Sequence, residues 1–319
     1  MTTTTTAAAR GTRDTATSWF LRGDAPRSSR PAPPPGVEFY RGLAGDKRRV
    51  VRGVLAIVLV AAGLIGFALG LRDLADLIDA ELLGREGYTP VNYGAAMLSL
   101  ALLIPWTMAI ERVLYGVPLP SLHSVAHRFR FGMLGRGLLV LAPVWALTAV
   151  LALSGPVERI EWTTVDLVAY LLITVLLVPL QASGEEYAYR GLMLRVISSW
   201  ARTPRVGLVV GVVVTSVLFA LSHGTLDPYF LAWYTTLGAS LALITWRTGG
   251  LELAVLLHAV LNSVSLLGAL VLHADIATAI NDRPDTAGTP MLLIPAGVAI
   301  VITAVVWATT RRSGPVTSA

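Results

Sequence analysis

The chain has 319 residues, 54% of them hydrophobic and only 14% charged, with a mean hydropathy of +0.66 and a net charge of +5. That balance excludes an ordinary soluble domain. Its positive charges fall between apolar runs and in the first fifty residues rather than along one groove, which argues against a nucleic-acid binder. No cysteine is present, so disulfides, thiolate metal sites and a cysteine nucleophile are excluded together, and any chemistry rests on His, carboxylates, hydroxyls or backbone.

Residues 1–48, rich in Thr, Ala, Arg and Pro, cannot bury enough apolar surface to fold alone and read as a disordered basic cytoplasmic tail. They contain no apolar signal-peptide region, so the first membrane helix is expected to act as the insertion signal. Apolar runs then follow at 50–71, 94–116, 136–154, 164–183, 206–223, 226–246, 250–273 and 290–310. Each approaches the roughly 20 residues that a helix needs to cross a bilayer. The expected fold is therefore all-α: a polytopic transmembrane helical bundle of about eight spans. Its parts are the first three helices over 49–163, a core over 164–273, and a last helix with a short cytoplasmic tail over 274–319.

Lys and Arg set the expected orientation through the positive-inside rule. With the N-terminus in the cytoplasm, Lys47, Arg48, Arg49 and Arg52, the segment Arg112 to Arg136, Arg202, Arg205, Arg247, Arg311 and Arg312 all fall inside. The outer connections keep Arg72, Arg85, Arg159 and Arg283 beside acids such as Asp73, Asp76, Asp79, Glu81, Glu158 and Glu161. A multi-pass protein of the cell membrane with both termini cytoplasmic is the expectation.

Ionisable groups inside membrane helices are costly and are the default functional candidates. One cluster is Gly184-Glu185-Glu186-Tyr187-Ala188-Tyr189-Arg190, inside a helical pattern that continues to Trp200. A second is Phe219 to His223, and a third is His258 to Asn262. Counted from the inner turns at ~1.5 Å per residue, Glu185 lies roughly 20 Å deep, His223 roughly 27 Å, His258 ~16 Å and Asn262 ~22 Å. These depths overlap, so the fourth, fifth and seventh spans can bring the groups to one level. His258 and Asn262 share a helix face, as do Phe219 and His223; Glu186 and Arg190 have the spacing of an ion pair. Glu185 points about 100° away from Glu186 and is the carboxylate assigned to the chemistry.

A carboxylate withdrawn from water suits a general base. With His223, Glu185 can hold and deprotonate a water that attacks a peptide carbonyl, while His258 and Asn262 donate to the developing oxyanion. Alternatively, Glu185, His223 and His258 form a ligand set of the type that binds Zn2+ with water in the fourth position. The residues alone leave both readings open.

At these positions the chain resembles the CAAX-protease and bacteriocin-processing (CPBP) family of intramembrane endopeptidases, relatives of the type II CAAX prenyl endopeptidase. The family pattern of EExxxR, FxxxH and HxxxN appears as Glu185 to Arg190, Phe219 to His223 and His258 to Asn262, in order and spacing. The resemblance covers about residues 165–270 and implies a glutamate-dependent endopeptidase whose catalytic core is 164–273. Glu185 and His223 resemble the water-activating pair, His258 and Asn262 the oxyanion donors, and Glu186 and Arg190 structural supports. Some family members are described as metalloproteases, which keeps the zinc alternative in place. The implied partners are membrane lipid and a protein or peptide substrate.

Other residues read more plainly. Glu252, beside Arg247, is expected to anchor the inner interface. His123 and His127, an i, i+4 pair, sit in a basic amphipathic loop whose Arg128, Phe129 and Arg130 suit an anionic membrane surface. His273 is expected to be solvated, and most Trp and Tyr to form an interfacial belt. A proton-coupled transporter and a non-catalytic scaffold or immunity protein are the competing functions. A transporter is expected to carry an internal repeat, and none is visible.

Overall fold

Eight helical rods make up the computed structural model, which describes residues 35–45, 49–152, 159–277 and 287–319. Helix α1 (Val50–Leu77) continues through a π turn, Ile78–Leu83, and stops at Gly84, whose left-handed φ of 59° few other residues accept. Thr89 caps α2 (Pro90–Ala101) in a capping box with Asn92. After one irregular residue the rod continues as α3 (Leu103–Tyr115). Next come α4 (Gly132–Ala152), then α5 (Thr164–Leu176) and α6 (Val178–Glu186), which bend at Leu177 because Pro179 gives the ladder no N–H. A π segment, Tyr187–Met193, joins α6 to α7 (Leu194–Ser199). The remaining rods are α8 (Pro204–Leu221), α9 (Pro228–Thr248), α10 (Glu252–Val271) and α11 (Leu293–Thr310). No strand occurs among the described residues, only isolated bridges.

Six of the rods are long and apolar enough to cross a membrane, and α4 adds a shorter apolar helix. Their outer faces carry apolar side chains such as Leu139, Val165 and Val301, each more than 60% exposed, which only a lipid solvent makes cheap. The protein is an all-α, multi-pass membrane bundle. Helix α9 is the polar exception, with Thr235, Thr236, Ser240, Thr245 and Arg247; it packs against α8, α10 and α11, so protein rather than lipid covers it. Helix α10 is equally central, packed against α4, α5, α6 and α9.

Two expectations change here. Of the segment read as a disordered tail, residues 1–34 and 46–48 lie outside the described residues, but 35–45 are docked. Phe39 and Tyr40 are buried, Arg41 donates to the carbonyls of Ser198 and Ala201, and Tyr40 Oη donates to that of Pro204. Gly36 N donates to Ser318 O (2.9 Å) and Ser318 N to Val37 O (3.0 Å), so the two ends of the described chain meet on one side of the bundle. Two aromatic anchors and a pair of backbone bonds outweigh the segment's polar composition.

The connection between α3 and α4 also departs from the reading. Arg130 does not face a lipid surface: it forms a two-pronged pair with Glu252 (2.7 Å and 2.7 Å), its backbone N–H donates to the same carboxylate, and both side chains are buried. Glu252 is thus the inner partner of that loop rather than an interfacial anchor, and Arg247 instead donates to Thr310. The backbone of 123–125 pairs with 249–251, fixing the loop beneath α10.

Candidate active site

Helices α6 and α10 run antiparallel and meet through a two-rung polar ladder. One turn of α6 separates Gln181 from Glu185, and one turn of α10 separates His258 from Asn262. Asn262 Nδ2 donates to Gln181 Oε1 at 3.0 Å, and one turn away His258 Nε2 lies 3.4 Å from Glu185 Oε2. On its other edge, His258 Nδ1 is 2.8 Å from Glu186 Oε1, which also accepts from Arg190 Nη1 at 2.8 Å. The Glu186–Arg190 ion pair expected from spacing is present and wholly buried.

In this geometry Glu186 Oε1 accepts from Nδ1 of His258 and from Arg190, and Nε2 is the edge of His258 that faces Glu185.

The close approach of α6 to its neighbours rests on one glycine. A Cβ built at Gly184 would lie 1.8 Å from the carbonyl oxygen of Leu100. The residue preceding Glu185 is therefore in backbone contact with α2, and α6 is pressed between α2 and α10. Immediately after Glu186 the rod switches to π geometry, a one-residue expansion of the helix often found at functional sites.

From α8, Phe219 enters the middle of the cluster, fully buried. Its ring lies edge-on to His223 (4.8 Å between centroids), His258 (5.9 Å) and Tyr189 (5.2 Å), and the Arg190 guanidinium lies 4.2 Å from its centroid. His223 Nδ1 donates to its own Phe219 carbonyl at 2.7 Å, and its ring stacks on Tyr234 at 3.7 Å. The Nε2 edge of His223 is then its accepting side.

The six residues singled out from sequence thus lie on three rods: Glu185, Glu186 and Arg190 on the one that runs through α6, His223 just past the end of α8, and His258 with Asn262 on α10, with Phe219 against Arg190, His223 and His258. Gln181 and Tyr234 were missed. Gln181 had a signal, being a polar side chain in an apolar run one turn from Glu185; Tyr234 had none. His123 does more than face a membrane surface: its Nδ1 bonds the Tyr187 hydroxyl. His123, His127, Arg128, Ser183 and Tyr187 help line a cavity of about 640 Å3 beside α6 and α10, otherwise walled by apolar side chains. His273 stacks on Trp162 (5.8 Å).

The zinc alternative requires Glu185, His223 and His258 to converge on one point. Among the described residues no group of three His or acidic side chains is arranged to hold a metal ion.

No curated protein and no solved structure matches the chain. A family model does: type II CAAX prenyl endopeptidase Rce1-like, over residues 164–264, from the start of α5 to just beyond Asn262. The stretch that carries EExxxR, FxxxH and HxxxN is thus similar to the Rce1-like family, in keeping with the resemblance those motifs carry.

Proposed function

We propose that the protein is an intramembrane endopeptidase that hydrolyses a peptide bond of a membrane-associated protein or peptide by a glutamate-dependent route. The observation that carries this reading is His258 held between Glu186 and Glu185. With Nε2 as a donor, His258 stands beside Glu185, the carboxylate that acts as the base, so both halves of the reaction lie at one contact.

In this scheme Glu185 takes a proton from a water that the accepting edge of His223 helps to orient. The water oxygen attacks the carbonyl carbon, and the oxyanion receives hydrogen bonds from His258 Nε2–H and Asn262 Nδ2–H. Collapse of the tetrahedral intermediate breaks the C–N bond, and the proton held by Glu185 passes to the leaving amine. Glu186 and Arg190 keep His258 in the required tautomer. The arginine distribution supports cytoplasmic termini.

The test is a cleavage assay in liposomes with a library of membrane peptides, run on wild type and Glu185→Gln, with and without EDTA. Cleavage by wild type that survives EDTA and disappears in Glu185→Gln supports the reading. Activity in Glu185→Gln overturns it, and EDTA sensitivity reversed by zinc replaces it with the metal route.

A further inference from the structure

We infer that Gln181 is a positioning residue for the same reaction: it fixes the amide of Asn262 so that a donor, rather than the carbonyl oxygen, faces the scissile bond. The inference rests on the peptidase reading above. An asparagine amide carries two N–H groups on one end and an acceptor on the other, and rotation about its last torsion exchanges them. Only one orientation stabilises an oxyanion; the other repels it. The two orientations differ little in shape, so packing alone discriminates poorly between them.

Gln181 provides a partner for one orientation: with its Oε1 turned toward α10 it accepts from Asn262 Nδ2 at 3.0 Å and has nothing to offer Oδ1, and Gln181 itself is 6% exposed. One N–H of Asn262 is thereby committed to Gln181, which sets the plane and sense of the amide and leaves the second N–H with a defined direction. Gln181 also stands one helical turn before Glu185 on α6, as Asn262 stands one turn after His258 on α10. The two rungs share one helix pair, so the bond that orients the oxyanion donor also registers it against the base. Bend and glycine hold the rung in place: Pro179 starts the turn that carries Gln181, and Gly184 seats the same turn against Leu100.

The experiment compares wild type, Gln181→Leu, Gln181→Glu, Asn262→Ala and the Gln181→Leu/Asn262→Ala double variant, full-length in liposomes, on a peptide that wild type cleaves. Gln181→Leu is expected to lower kcat by roughly 10- to 100-fold with KM little changed, as loss of an orienting partner does. Gln181→Glu, which keeps an acceptor oxygen at the same reach, is expected to recover most of that loss. The double variant is expected to be no slower than Asn262→Ala, because an amide that is gone cannot be misoriented. Wild-type kcat in Gln181→Leu, or multiplicative losses in the double variant, overturns the assignment while leaving the peptidase reading intact. Failure of wild type to cleave any peptide overturns the reading and this inference with it.

Discussion

Arg190 lies with its guanidinium carbon 4.2 Å from the centroid of the Phe219 ring, both side chains fully buried. Nε and Nη2 of Arg190 have no hydrogen-bond partner among the described residues. The contact joins the EExxxR helix to the FxxxH helix. Phe219→Leu keeps the bulk and removes the π face, and is expected to cost about 2 kcal/mol. Thermal unfolding in detergent measures it, and cleavage should fall as well because His223 loses its edge contact.

The adjacent acids should respond in opposite ways to the same isosteric change. Glu185→Gln is expected to leave the unfolding temperature nearly unchanged and to slow cleavage by roughly 100- to 10,000-fold, the range for a lost general base. Glu186→Gln leaves Arg190 buried without its counter-charge and is expected to destabilise by about 3–5 kcal/mol. Measuring unfolding and cleavage for both variants separates the roles; equal destabilisation would contradict the assignment.

Gly184→Ala places a methyl group against the Leu100 carbonyl. The backbone of α6 must shift, at an expected cost of about 1–3 kcal/mol, and a shift of ~1 Å at Glu185 is enough to lower cleavage about 100-fold. Gly297, with nothing within 4 Å of its added Cβ, is the control: Gly297→Ala in α11 is expected to alter stability by no more than about 1 kcal/mol.

Acid should loosen the loop between α3 and α4. Burial, offset in part by Glu252, holds His123 below its ordinary pKa of 6.5; burial and Arg195 do the same for His127. A histidine depressed in the folded state binds protons more readily when unfolded, so its contribution is complete above 6.5 and is lost as pH falls from there toward the folded pKa. The unfolding temperature is expected to drop between about pH 7.5 and about pH 5.5, and the slope to flatten in His123→Gln/His127→Gln.

Orientation is accessible because the native chain has no cysteine. Glu161→Cys is expected to react with a membrane-impermeant maleimide on intact cells, and Arg312→Cys only after lysis. The reverse pattern would invert the proposed topology.

The three motifs were legible because each lies on one rod or at its end, where a spacing of four brings two side chains to one side. Their convergence was legible only as overlapping depths. Which rungs form was not, since the pairing of Gln181 with Asn262, like those of Glu111 with Arg195 and Arg130 with Glu252, joins helices far apart in sequence. Periodicity reports which face is polar, not what it meets. The membrane pattern also concealed that Arg130 turns inward and that Phe39 and Tyr40 pin a segment of tail-like composition. Nor does any composition announce a π segment.

That segment, Tyr187–Met193, has a consequence for how the rod tolerates change in length. A π turn is a helix with one residue to spare, and deleting any one of the seven would let the rod relax to plain α geometry. The spare residue is taken up locally, so the rod beyond it would keep nearly the same phase, and Arg195, which pairs with Glu111 and lies over Phe39, would stay with its partners; a deletion in the α-helical part of the rod would instead turn everything beyond it by about 100°.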